Sequence, residues 1–387
     1  MSTTTSPPAA PRLLFIDNLR WLMIVLVVTI HAAVTYSGVG SWYYKEPAPP
    51  GPVAFFAFVF YETHLQAFFM GLLFLVAGYF VPGSLDRKGA RRFLADRVVR
   101  LGIPTALYAF VIQPAIVYYL LNLPGDAALP SPLVVYPRYL ARLGFLSGTG
   151  PLWFALALLI FTGIYTAGRA AVRPRTRLQP EGRLPSHGKI ISLIGVMALG
   201  SFLVRCAQPI GTDFYNMQLC FFPQYILLFG VGILAWRRNW LLRLPASFGS
   251  LWLKLALVAG PVLWAALMLG GGALKDGFAR YVGGVHWQSA GYCLWESFFG
   301  VGVCLGLLVL FRERFNTQGR LARFLSANAF AVYVMHAPVL IALALALRGL
   351  AWPPPAKFLL LSAAGLGVSF LASHWVIRRI PGLGRVL

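Results

Sequence analysis

Ten stretches of about 20 apolar residues, almost free of charge, run through this chain, and they confine it to a lipid bilayer. An α-helix rises 1.5 Å per residue, so roughly 20 apolar residues cross a hydrocarbon core about 30 Å thick. The stretches lie near residues 20–40, 55–81, 101–121, 151–168, 190–206, 219–236, 251–270, 289–311, 325–347 and 357–377. With 58% of the 387 residues hydrophobic and 11% charged, the expected fold class is all-α, a polytopic integral membrane protein of about ten transmembrane helices. A single membrane domain is expected over 13–380, between a disordered Ser-, Thr- and Pro-rich tail over 1–12 and a short tail over 381–387. Residues 1–12 do not read as a cleavable signal, so the first helix is expected to stay as an anchor.

Ten crossings put both termini on one side, and the basic residues say which. Of the 33 Lys and Arg residues, 24 fall in the segments on the side of the termini and 8 in the opposite segments, with Lys254 near a helix end. Cytoplasmic loops carry the excess of Lys and Arg, so both termini are expected in the cytoplasm, in a multi-pass protein of the inner (plasma) membrane. The net charge of +22 is then explained by topology and anionic lipid, which makes membrane lipids the expected partner and nucleic acid not one. The longest outer connection, 122–150, is rich in Pro and Gly, and the longest inner one, 169–189, is basic. Neither is large enough for a second domain, so any chemistry belongs to the helices.

Polar residues inside the spans are few, and a charge at the bilayer centre costs about 3 kcal/mol or more unless it faces a bundle interior or water. His31 follows Arg20 by three helical turns in the first span, near the membrane midplane, and His336 reaches a similar depth in the ninth. Glu62 in the second span and Glu296 in the eighth supply carboxylates. An uncharged imidazole, with an ordinary pKa close to 6.5, is a good proton acceptor near neutrality, and a carboxylate on its second nitrogen would fix the tautomer. Glu62 and Glu296 are both candidates for that partner. His64, Gln66 and His374 read as interhelical hydrogen-bonding residues. Arg97 and Arg100, one turn apart at the start of the third span, suit either phosphate binding or a topogenic basic loop.

No GxSxG, HExxH or CxxC pattern is present, so neither a covalent serine mechanism nor a metal site is expected. The cysteines Cys206, Cys220, Cys293 and Cys304 read as packing residues, with a Cys206–Cys220 disulfide left open.

Arg20 and His31 form an R-x10-H pattern, Arg97-Val-Val-Arg100 an RxxR, the second span ends in "GLLFLVAGYF" from Gly71 to Phe80, and the ninth reads "SANAFAVYVMHAPV" from Ser326 to Val339. Together these resemble the acyltransferase-3 family of membrane O-acyltransferases, the group that includes O-antigen acetyltransferases and the glucan-biosynthesis succinyltransferase. The resemblance spans Leu13 to about Arg378. Two departures stand out: Ala77-Gly78 replaces the usual Ser-Gly pair, and the Glu-x-Gly-Pro element is absent, since Ser297, Phe298 and Phe299 follow Glu296.

The resemblance implies a cytoplasmic acyl-CoA co-substrate, no permanently bound cofactor, and an extracytoplasmic hydroxyl acceptor, usually on a glycan. Joined to the residue reading, this makes His31 the expected base, with Arg20 placing the donor or steadying charge, Arg97 and Arg100 on the nucleotide or pyrophosphate of CoA, and Glu62, Glu296 and His336 as further candidates. A proton-coupled transporter is the alternative class. Against it, the halves show no repeat and no matched pair of Gly/Pro-broken helices. Acceptor, acyl chain length and oligomeric state are not legible.

Overall fold

The computed structural model describes residues 12–123, 129–171 and 182–380; most of the expected N-terminal tail, all of the C-terminal one and Arg173, Arg175 and Arg177 lie outside the described residues. The described chain is helical, without strands, and ten of its helices are long and apolar enough to cross a membrane. We number them α1 (Leu14–Ser37), α2 (Pro52–Lys88), α3 (Ala90–Asn122), α4 (Gly150–Ala171), α5 (His187–Ala207), α6 (Leu219–Arg237), α7 (Ala246–Gly270), α8 (Trp287–Arg314), α9 (Arg320–Ala346) and α10 (Pro354–Arg379).

α1 runs through the middle of the bundle, packed on α2, α8, α9 and α10, while α7 lies at the periphery against α8. The outward faces of α5 and α7 carry Leu199, Leu203, Val258 and Val262 exposed, as lipid-facing helices do. The end of the bundle holding the start of α1 also holds the α8–α9 connection, because the Asn18 amide donates to the carbonyls of Phe315 and Thr317 at 2.7 and 2.9 Å.

Two helices depart from the uniform spans that hydropathy suggests. α2 is broken at Ala67–Phe68, between helical segments Pro52–Gln66 and Phe69–Lys88. A carbonyl freed inside a bilayer needs a donor from elsewhere in the protein. Gln224 of α6 supplies it, its amide reaching the Ala67 oxygen at 2.5 Å, and Gly300 of α8 leaves the space, since a Cβ there would stand 2.1 Å from that oxygen. Below the break α2 and α6 touch backbone to backbone: a Cβ on Gly78 would meet the Phe229 carbonyl at 2.2 Å, and one on Gly232 the Leu75 carbonyl at 2.1 Å. Small residues at such crossings let membrane helices approach closely.

α3 widens twice into π turns, Val98–Gly102 and Tyr108–Ile112, each ending one residue short of the position before a proline, Pro104 or Pro114. The wider turn accommodates a ring that has no N–H and would crowd the preceding carbonyl. The second of these turns brings Tyr108 and Gln113 to the site described next.

Candidate active site

α1 ends at Gly38, whose φ of 75° turns the chain back on itself, and residues 38–51 fold down over the helix end. A buried ion pair holds this strap. Lys357 of α10 meets Glu46 at 2.9 Å, Tyr44 donates to the same carboxylate at 3.1 Å, and the Glu46 N–H donates to the Thr35 carbonyl at 2.8 Å. The strap thereby lays the Trp42 indole on the His31 ring, 4.0 Å between centroids and 14° from parallel. Tyr43 beside it donates a short hydrogen bond to Gln113 and lies 3.1 Å from the Tyr108 hydroxyl. Burial pushes the Tyr43 phenol up to about 12, so it stays protonated as that donor.

The side chains of His31 and His336 meet, with His31 Nδ1 3.0 Å from His336 Nε2. The protons on this pair follow from its far end. His336 Nδ1 lies 2.8 Å from the Tyr333 carbonyl, which only accepts, so Nδ1 carries the hydrogen and Nε2 the lone pair. His31 Nδ1 must then donate to His336, which leaves His31 Nε2 as the lone-pair nitrogen. That ring lines a cavity of about 430 Å3 reaching from Ser41, Gly150, Gly211 and Asn216, at the end away from the termini, down to Val27, His31 and Met70.

Gly150, with φ of 49°, shapes the cavity wall. A Cβ there would lie 2.3 Å from the Tyr108 ring, and Asn216 donates to its carbonyl at 2.7 Å.

Arg20 lies 11 residues before His31, about 16 Å along the helix toward the other end. It meets Asp17 at 3.2 Å and lies 4.7 Å over the ring of Phe80, the last residue of the second-span motif. Arg97 and Arg100 of α3 stand within electrostatic range of it, while Asp96 is taken by Lys88 at 2.5 Å. Three guanidinium groups thus gather around few carboxylates, an arrangement that attracts an anion such as a phosphate. The structure brings Arg20 and the RxxR pair together at this end.

A family model described as an acyltransferase domain matches residues 13–374. The chain belongs to the acyltransferase-3 family. Among curated relatives, the glucans biosynthesis protein C of Salmonella schwarzengrund (strain CVM19633) is 30% identical over 162 residues, which are 41% of this chain and 40% of that protein. Proteins of the same name from Salmonella paratyphi B and Salmonella heidelberg match to the same extent, so the match spans about two-fifths of these relatives' length. No solved structure matches.

The expectation that a carboxylate seats His31 gives way in this acyltransferase to an imidazole. Glu296 is turned elsewhere: it pairs with Arg205 at 2.6 Å, both fully buried, and Arg205 also donates to the Cys293 sulfur at 3.3 Å. Glu62 lines the same cavity as His31 but faces Ser37 and the Lys45 charge. The physical reason favours a neutral partner: a carboxylate next to the ring would bury a formal charge in a low-dielectric interior, costing several kcal/mol. His336 orients the ring without that cost.

Of the residues expected to bond between helices, Gln66 does so, whereas His64 bonds within its own helix. His64 donates to the Phe60 carbonyl at 2.8 Å among aromatic rings, and Gln66 to the Tyr225 hydroxyl at 3.2 Å. All four cysteines are free, so no Cys206–Cys220 bond forms. Sequence reasoning missed Trp42, Tyr43 and Gln113 as cavity residues, since an aromatic run after a span reads as an interfacial anchor. It also missed Arg205, counted among the basic residues of the opposite side; its place inside the apolar stretch 190–206 was the available signal.

Proposed function

We propose that this protein is an O-acyltransferase of the inner (plasma) membrane. It moves an acyl group, acetyl or succinyl, from acyl-CoA in the cytoplasm to a hydroxyl of an extracytoplasmic carbohydrate. The observation that carries this reading is the His31–His336 hydrogen bond at the floor of a cavity, because it leaves a lone-pair nitrogen, His31 Nε2, on a ring that lines that space. Family membership supports the acyl transfer, and the relatives named glucans biosynthesis protein C favour a carbohydrate acceptor.

The reaction runs with its atoms balanced. His31 Nε2 takes the acceptor's hydroxyl proton as that oxygen attacks the thioester carbonyl, a C–O bond forms, the C–S bond breaks, and the leaving thiolate takes the proton from His31. The imidazolium formed between these steps keeps its Nδ1–H on neutral His336 and has the Trp42 face 4.0 Å away, a cation–π contact worth about 0.5–2 kcal/mol. Arg20, Arg97 and Arg100 hold the phosphates of CoA at the other end, with the thioester arm spanning the distance to His31.

Radiolabelled acetyl-CoA supplied to inside-out vesicles tests the reading. Wild-type protein places label covalently on an acceptor, and His31→Ala lowers that rate by about 100-fold or more while the purified variant keeps its helical content. Transfer at the wild-type rate by His31→Ala would remove the proposed base.

A further inference from the structure

We infer that Glu62 is an acceptor-recognition residue, and that the cavity above the histidine pair admits an uncharged polyhydroxylated ligand while turning away an anionic one. This deepens the acyltransferase reading and rests on it for naming the ligand an acceptor.

The first observation is a segregation of charge. The chain carries 33 Lys and Arg against 11 Asp and Glu, yet the cavity is lined by Glu62 and Asp213 and by no lysine or arginine among the described residues. Arg205 lies behind the wall, its guanidinium carbon 5.2 and 5.4 Å from the rings of Phe221 and Tyr292, and Glu296 neutralises it. Lys45, whose charge Glu62 feels, donates to the Gly40 carbonyl at 2.5 Å and is not part of the lining. A phosphate or carboxylate on the ligand would therefore find no lysine or arginine in the lining to pair with, the Lys45 ammonium standing outside it. An anion that leaves water for a lining without a cationic partner loses hydration that nothing there replaces.

The second observation is an orphan. Glu62 is only 7% exposed, and its Oε1 has no hydrogen-bond partner among the described residues, with the Ser37 side chain beside the carboxyl. A buried carboxylate oxygen without a donor is costly, so the missing donor is assigned to what fills the cavity. A hydroxyl supplies an O–H and is repelled by nothing here. Trp42, Tyr43, Trp153 and Gln113 also line the cavity, aromatic and polar groups suited to a sugar ring. The volume, about 430 Å3, is that of a small-molecule site.

The test uses detergent-purified protein, the neutral oligosaccharide laminaritriose, and the same trisaccharide with its primary alcohols oxidised to carboxylates. Binding is measured by calorimetry and acyl transfer separately with labelled acetyl-CoA. Wild-type protein is expected to bind the neutral form about tenfold or more tighter than the oxidised one. Glu62→Gln is expected to weaken the neutral ligand about tenfold, to raise KM more than it lowers kcat, and to narrow the discrimination. Equal binding of the two forms, absence of neutral binding, or unchanged affinity in Glu62→Gln overturns the inference. Label transfer without any charge preference overturns it while leaving the acyltransferase reading in place; charge-selective binding with no transfer does the reverse.

Discussion

At the scale of single residues, a base in a membrane interior has to be oriented without a buried charge. On the proposed mechanism His336 does this for His31 with one lone pair, and its own tautomer is fixed by the Tyr333 carbonyl one helical turn back. The two-imidazole chain makes His336 a positioning residue with a testable signature. His336→Ala is expected to lower kcat by about 10- to 100-fold with little change in KM for acyl-CoA. His336→Gln, whose amide oxygen accepts the same Nδ1–H, is expected to retain more of the rate, and equal losses in the two variants would show that orientation is not its role. Single residues also show where sequence reading stops. His31 and His336 were legible because an imidazole inside an apolar run is costly; that they bond each other depends on how α1 and α9 face across the bundle, and residue spacing carries no such information.

Helices supply the next scale. Arg205 and Glu296 join α5 to α8 by a buried ion pair, and removing one partner leaves a bare charge in the bundle. Glu296→Ala or Arg205→Met alone is expected to cost about 3–5 kcal/mol, seen as a lower thermal midpoint in detergent, while the double Arg205→Met/Glu296→Met change recovers most of it. Recovery of acyl transfer by the double variant would place Glu296 in the scaffold; stability without activity would return it to the chemistry. The break in α2 follows the same logic, since Gln224 and Gly300 serve one freed carbonyl. Hydropathy saw a single span over 55–81 because it reads apolar content, which the break does not alter. The second-span motif gains a physical meaning here: Gly78 admits the Phe229 backbone, and Phe80 carries Arg20 on its ring, whereas the departure at Ala77 touches neither contact.

Across the whole molecule, charge is sorted by region. Cationic groups crowd the end with the chain termini, and two of the basic residues assigned to the other end, Arg205 and Lys357, are consumed in buried ion pairs. The asymmetry of exposed charge is therefore larger than the residue count suggests. With it, reporter fusions at either terminus should report the cytoplasm, and substituted cysteines in the 38–51 strap should react with an impermeant thiol reagent added outside intact cells. Labelling of the strap only after the membrane is opened would invert the assignment and with it the direction of acyl transfer.

Sequence by itself determined the helical class, the ten helices long and apolar enough to cross, the matching level of His31 and His336, and the family, because lipid admits only long apolar helices and makes each polar exception conspicuous. Tertiary structure decided which exceptions are partners: the imidazole rather than a carboxylate beside His31, Glu296 on Arg205, and the Trp42 strap over the ring. Those choices turn on which helix faces meet, a property of three-dimensional packing that no stretch of apolar sequence encodes locally.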